Sequence, residues 1–373
     1  MTSNLPSHTQ QLTSTLSGAG ELALELAEAP TPSPGPDEVL IQVEAAPVNP
    51  SDLGVLLGPA DPAAARRERA RTVIPLPPAA LKAAARRVGR TLTVGNEGAG
   101  LVVAAGENAK ALLGRRVAAL AGGMYAQHRL VPAAEALVLP EGTSAAEGAA
   151  AFVNPLTVLA MIETMRLEGH AGLVHTAAAS NLGQMLVKIC AEDRIPLVNI
   201  VRRPEQAALL RDLGAQHVCD SSAPGFQDEL RTALAATGAT LAFDAIGGGR
   251  IASQILTAME AVAVERMSDF SVYGSDTPKR VYVYGVLDTS PTELARTFGM
   301  AWDVGGWLMP HILRRVGPAR AAEMRQRVLA GLKTTFASRY SREISLAELL
   351  QPEVLVASAR KGTGDKLLIN PTR

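Results

Sequence analysis

The sequence predicts an α/β protein in two parts: a β-rich first part and, from about residue 151, a parallel sheet with helices on both faces. Three observations predict it. Short β-branched runs, separated by glycine and charged turns, fill the first 150 residues. Beyond them, strand-like and helix-like segments alternate regularly. At 373 residues the chain also exceeds the ~250–300 residues at which one core stops growing.

The elements follow in order. "PTPSPGP" marks a loop before the strand in "DEVLIQVEAAPVNP", and "GAGLVVAAG", "GRRVAAL" and "YAQHRLVP" read as further strands. Residues 61–93 differ, carrying eight Lys/Arg against two Asp/Glu. Their alanine and arginine content predicts two short helices joined by "IPLPP". In the alternating region "GLVHTA" is a strand, "NLGQMLVKICAED" a helix and "IPLVNIV" a strand. "RPEQAALLRDLGA" has Pro204 at a helix start and Gly214 at its stop. "HVCD", "ATLAFDAIGG" and "RVYVYGVL" are strands, with "GFQDELRTALAATG" and "RIASQILTAMEAVAV" as helices between them. After Leu287 the pattern reads as mainly helical to about Leu332, and the end reads as strand, helix and strand. A final strand after so long an insert often returns to the first domain.

Composition excludes several function classes. The chain is 47% hydrophobic and 19% charged with a formal net charge of zero, which favours neither nucleic acid nor an acidic membrane as partner. Aromatics at 3% argue against base-stacking platforms. No apolar run approaches the ~18 residues of a membrane span. The polar N-terminus lacks the apolar core of a signal peptide, and only Cys190 and Cys219 are present, so a cytoplasmic protein without disulfides is expected.

"LVHTAAASNLGQMLVKIC", residues 173–190, has the outline of a dinucleotide turn with few of its glycines. Glycine serves there for a tight turn, for close approach to pyrophosphate and for helix packing. Those places hold Ala178, Ser180 and Gly183. Many buried strand-to-helix turns use the same residues for packing only. Here the turn opens the first strand–helix unit, where dinucleotide folds place pyrophosphate. Ser180 and Asn181 can cap the helix or donate to a phosphate oxygen. About twenty residues on, an Asp or Glu would bind the 2′-hydroxyl of NAD and an Arg the 2′-phosphate of NADP. The chain reads "NIVRRPEQ" there, so Arg202 and Arg203 favour NADPH, with two solvated surface arginines as the plain alternative.

The ordered motifs "VNPSDLGVLLG", "GNEGAGLVVAAG", "GGMYAQHRLVP", "LPEGTSAAEGAAAFVNPLTVLAMI", "FDAIGGG" and "GTGDKLLINP" resemble the medium-chain dehydrogenase/reductase superfamily, in its branch of zinc-independent quinone oxidoreductases. The resemblance implies a discontinuous GroES-like catalytic domain with an inserted Rossmann domain, a doubly wound parallel sheet. The implied boundaries are 1–150 for the catalytic domain, 151–334 for the Rossmann domain with a helical extension, and 335–373 for the return. It implies an active site in the cleft between the two. It also implies Asn49 near the nicotinamide, Thr157 bonding the cofactor with Asn154 beside it, Gly285 at the nicotinamide end and Lys366 near pyrophosphate. A homodimer formed by edge pairing of the Rossmann sheets is a further implication.

The departures are informative. Zinc-dependent relatives carry Gly-His-Glu where this chain has Gly95-Asn96-Glu97, and no cysteine lies in the catalytic half, so no metal is expected. His128, His170, His175 and His311 are scattered and read as packing or surface residues. Some enoyl-thioester reductases of the superfamily use a tyrosine soon after the "VNPSD" motif; "GVLLGPADPAAARR" has none. Tyr125 is the nearest alternative, although a tyrosine at its motif is usually packed. The function expected is hydride transfer from NADPH to a small molecule, a quinone or an activated alkene (enone). Asn49, Asn96 and Tyr125 are the side chains to examine for polarising the developing oxygen. An enoyl-thioester reductase, a non-catalytic NADPH-binding redox sensor, and a scaffold whose turn is closed to phosphate are the competing readings.

Overall fold

A computed structural model of the chain describes residues 5–360, 362–364 and 366–373. The chain divides into two compact units, Met1–Val153 with Val328–Arg373, and Asn154–Arg327.

The first unit is built from two antiparallel-rich sheets. In one, the strands run Arg66–Glu68, Arg71–Pro75, Glu21–Pro30, His8–Leu16 and Thr91–Thr93. In the other, Glu38–Pro47 is flanked by Gly98–Ala105 and by the C-terminal strand Leu367–Ile369, with His128–Pro132 also pairing on it. Leu368 stands opposite Pro47, so the last strand closes on the first unit. Leu12, Leu24, Ile41, Val43, Val117 and Ile369 share one core, the inward residues of alternating strands.

Residues 61–93 do not form the two expected helices. A 3-10 turn at Pro62–Ala64 leads into a hairpin of Arg66–Glu68 and Arg71–Pro75, with Arg69 left-handed (φ 52°) at its tip. Only then come a short helix, Pro78–Ala83, and a 3-10 turn, Ala85–Arg87. The β-branched run Thr72-Val73-Ile74 pairs with Leu22–Leu24 and buries there. Cross-strand packing overrides the helix propensity of the flanking alanines.

The second unit is a six-stranded, wholly parallel sheet. Its order is His217–Asp220, Leu197–Val201, Leu173–His175, Leu241–Asp244, Lys279–Val283 and Trp302–Gly306. The order grows outward in opposite directions from Leu173–His175 and Leu241–Asp244, which makes their boundary the topological switch point. Trp302–Gly306 lies in the region expected to be helical; it is one of the sheet's two edge strands. Its two glycines and lack of alternation hide it in the sequence, and pairing with Lys279–Val283 defines it. Helix Met309–Ala330 follows, broken at Gly317 (φ 82°) and Pro318.

The stretch Ala145–Leu167 corrects one expectation. By length and composition it is long and apolar enough to cross a membrane, but 83% of its apolar window is buried inside the protein, as in a core helix.

Candidate functional site

The second unit gathers its polar groups at the C-terminal ends of the parallel strands. Thr176 Oγ1 donates to Asp244 Oδ1 (2.7 Å) and accepts from Ala245 N (2.8 Å). Asp244 also accepts from Ile246 N (2.9 Å) and Gly247 N (3.1 Å). These bonds fix the two turns on either side of the switch point.

The turn nominated by the sequence leaves the Leu173–His175 strand there. Ala177 takes a left-handed conformation (φ 50°), and Ala178 donates its N–H to Ile200 O (3.2 Å). Ser180 is the N-cap of helix Asn181–Asp193, its Oγ accepting from Gly183 N at 3.1 Å. That hydroxyl keeps its own proton to donate. A side chain at position 183 would place Cβ 2.1 Å from Ala178 O, so glycine there permits the close strand–helix approach. Position 285 is similarly tight, with Ala245 O 2.6 Å from where a Cβ would sit.

Arg202 and Arg203 follow the Leu197–Val201 strand, exposed, and neither guanidinium has an ion-pair partner among the described residues. Arg203 precedes Pro204, which starts the next helix. Asn154 and Thr157 lie buried on helix Val153–Leu167. Later on that helix, Thr164 accepts from Trp307 Nε1 (3.0 Å), and Glu168, just after it, pairs with Arg280 (2.9 Å) near the start of its strand. The helix thus runs antiparallel to the strands, and its first turns point to their C-terminal ends. Thr157 lies ~10 Å of helix before Thr164. Ala178, Ser180, Asn181, Gly183, Arg202, Arg203, Gly285, Asn154 and Thr157 therefore belong to one end of one sheet. Lys366 does not share that unit.

Lys366 belongs instead to a buried cluster in the first unit. Its Nζ is buried without a hydrogen-bond partner among the described residues, 5.8 Å above the Tyr340 ring. Burial lowers its pKa from the usual lysine value, while Glu97 and Asp52 oppose that shift. Asn49, the N-cap of helix Pro50–Leu56, donates Nδ2 to Glu97 Oε1 (2.8 Å) and its backbone N–H to Asp52 Oδ2 (2.8 Å). Glu97 also accepts from Phe152 N and Val153 N, each at 2.9 Å. Burial raises the Glu97 pKa, with Lys366 pulling the other way. Burial pushes the Asp52 carboxyl up to about 7, against the N–H groups of Asn49 and Asn96, and the charge of Glu97 adds to the rise.

The three polarising candidates have these hydrogen bonds in the first unit. Tyr125 is 0% exposed and donates its hydroxyl to Pro47 O (3.0 Å). Burial raises its phenol well above the usual range, with the Asp52 carboxyl adding to the effect. One N–H of the Asn49 amide donates to Glu97, and one N–H of Asn96 Nδ2 donates to Ser51 Oγ (2.9 Å), which leaves each amide a second N–H. Asn49 Oδ1 is in addition a buried acceptor without a partner among the described residues, suited to a hydroxyl or N–H. The sequence missed one pair at the sheet end, His175 with Tyr284, whose Nε2 and Oη lie 2.7 Å apart. Its only sequence signal is positional: each residue sits at a strand end, on the same face.

Comparison with known proteins adds the ancestry. The alcohol dehydrogenase GroES-like domain matches residues 35–141. The synaptic vesicle membrane protein VAT-1 homolog of Rattus norvegicus is 28% identical over 235 residues, 62% of this chain and 52% of that protein. The mitochondrial enoyl-[acyl-carrier-protein] reductase of Caenorhabditis elegans is 32% identical over 224 residues, 58% of this chain and 56% of that protein. The chain thus spans about half the length of these curated relatives. A candidate NADPH:quinone reductase from Mesorhizobium loti has a structure that superimposes with a TM-score of 0.74 at 26% identity, covering 99% of this chain and all of that one. A GroES-like first unit, a parallel-sheet second unit and a likeness extending over the whole length place the chain in the medium-chain dehydrogenase/reductase superfamily.

Proposed function

We propose that this protein is a zinc-independent, NADPH-dependent oxidoreductase that reduces a quinone or an enone. The observation that carries the reading is the Arg202–Arg203 pair, exposed and without ion-pair partners among the described residues, just beyond the strand that follows a turn built for close strand–helix approach. Two guanidinium forks suit a 2′-phosphate. The residues present fit the cofactor. Ser180 offers a hydroxyl proton, the start of helix Asn181–Asp193 favours an anion, and Asn154, Thr157 and Gly285 serve the nicotinamide end. When bound, NADPH supplies hydride; the protein's part is to hold the reacting partners at a fixed distance and orientation. The reading agrees with the name of the Mesorhizobium loti protein.

Zinc independence rests on the donor set. Asn49 and Asn96 present amides, and among the described residues no group of three His, Cys, Asp or Glu side chains can hold a metal ion. The similarity to an enoyl-[acyl-carrier-protein] reductase favours a second reading, reduction of a 2-enoyl thioester. A homodimer is also part of the proposal, supported by the edge strand Trp302–Gly306 with exposed Met300 and Leu308 beside it. Two free buried cysteines suit a cytoplasmic location.

The test is NADPH oxidation with a naphthoquinone, an alkyl enone and a 2-enoyl thioester offered in parallel. The proposal expects turnover with the quinone or the enone. Turnover with the thioester alone selects the second reading, and NADPH binding without turnover on any of them selects a redox sensor.

A further inference from the structure

The hydrogen-bonding groups at the C-terminal end of the second unit's sheet can be followed one by one. His175 stands in register with Phe243, and Phe243 with Tyr282. Aligned residues of a parallel sheet share a face, and so does Tyr284, two residues beyond Tyr282. The His175 and Tyr284 rings stack with centroids 5.9 Å apart. Trp307 meets Tyr284 and Phe243 edge-on at 6.3 and 5.2 Å, and is itself held by Thr164. Packing therefore fixes both rings.

His175 is fully buried, and burial lowers its pKa to about 3, so its ring is neutral and carries one proton. Its Nδ1 has no hydrogen-bond partner among the described residues. A proton on Nδ1 would be an orphaned buried N–H, the rarest kind of unpaired group. The assignment that avoids it puts the proton on Nε2, which donates to Tyr284 Oη. Tyr284 then accepts this bond, and its phenolic proton is left to donate elsewhere. Tyr284 is only partly buried and directly precedes Gly285.

We propose that Tyr284, oriented by His175, is the hydrogen-bond donor to the substrate's carbonyl oxygen as negative charge develops on it. The inference rests on the function proposed above and deepens it. In the reduction, hydride forms the new C–H bond, the π electron pair moves onto oxygen, and water supplies the completing proton. Tyr284 keeps its own proton: burial, with the Asp244 charge adding, pushes its phenol above the usual range. The bond accepted from His175 polarises the O–H and makes it a stronger donor. Tyr125 cannot serve in this way, because its one hydroxyl proton is donated to Pro47 O.

The test compares wild type with Y284F, which keeps the ring packing, and with H175Q, which retains an N–H donor. Three quantities are read: NADPH affinity, kcat with a quinone or enone, and binding of 4-nitrophenolate to the NADP-loaded protein, whose absorbance reports hydrogen bonds to its oxygen. The expected result for Y284F is unchanged NADPH affinity, a kcat about 100-fold lower, and loss of the phenolate's spectral shift. H175Q retains most of both. Wild-type NADPH affinity with unchanged phenolate binding and kcat in Y284F overturns the assignment alone. Loss of NADPH affinity in Y284F makes the tyrosine structural and also overturns it. No NADPH binding by wild type overturns the functional reading, and this inference with it.

Discussion

Two polar regions of this molecule carry side chains of similar chemical promise, and they differ in what those side chains have left to give. In the first unit, Asp52, Glu97 and Tyr125 spend their hydrogen bonds on neighbouring side chains and backbone, and Asn49 and Asn96 each commit one amide N–H. In the second, Thr176 and Asp244 do that work at the switch point, leaving Arg202, Arg203, the Ser180 proton and Tyr284 facing outward demands. A residue's type nominates it for chemistry; its unspent donor or acceptor decides whether it can perform it. The first region is mainly a frame, and the second is the receiving surface that the proposed function requires.

The comparison can be broken in several ways, the largest first. Gly183→Val sets a side chain against the Ala178 backbone, where Cβ alone would meet oxygen at 2.1 Å. It is expected to cost more than about 4 kcal/mol, read as loss of the folding transition of the second unit in denaturant.

Next comes pH. The His175 pKa falls from 6.5 to about 3 on folding, so its stabilisation is complete above pH 6.5 and is lost as pH falls toward 3. The loss is on the order of 5 kcal/mol at ~1.4 kcal/mol per unit. Asp52 acts with the opposite sign. Its folded pKa is raised to about 7, so its contribution is complete below the unfolded value of 3.8 and is lost as pH rises through 7. Comparing the pH dependence of denaturation in wild type and H175Q isolates the histidine. Equal acid limbs would show that His175 is not held neutral.

A smaller effect is expected in the receiving surface. Replacing Arg202 and Arg203 together by alanine should weaken NADPH binding about 100-fold, roughly 2.7 kcal/mol, without changing the melting temperature. Smallest is Tyr125→Phe in the frame, which should cost about 1 kcal/mol of stability and leave kcat unaltered. A large fall in kcat there would return Tyr125 to the reacting centre.

The alternating half was legible because its signals are local. Apolar runs such as Leu197–Val201 are bounded by Pro204 and Gly214, and the cap at Ser180 lies beside the helix it starts. The hairpin at 66–75 and the edge strand Trp302–Gly306 were not legible, since each is defined by a partner strand rather than by its own propensity. The place of Arg202 and Arg203, just after the second strand, could be read from spacing alone. The spent donors of Tyr125 and Asn49 could not, because Pro47 and Glu97 lie 78 and 48 residues away. His175 and Tyr284, 109 residues apart, meet only through the register of three parallel strands.

The central claim is that the turn at 177–183 and the two arginines beyond it form an NADPH site. The most direct measurement is a fluorescence titration of cofactor-free protein with NADPH and, separately, with NADH, in wild type and in the Arg202→Ala, Arg203→Ala double variant. The account predicts tighter binding of NADPH than NADH in wild type, and loss of that preference in the variant. Failure of wild type to bind either nucleotide, or an NADPH preference that survives loss of both arginines, would contradict it.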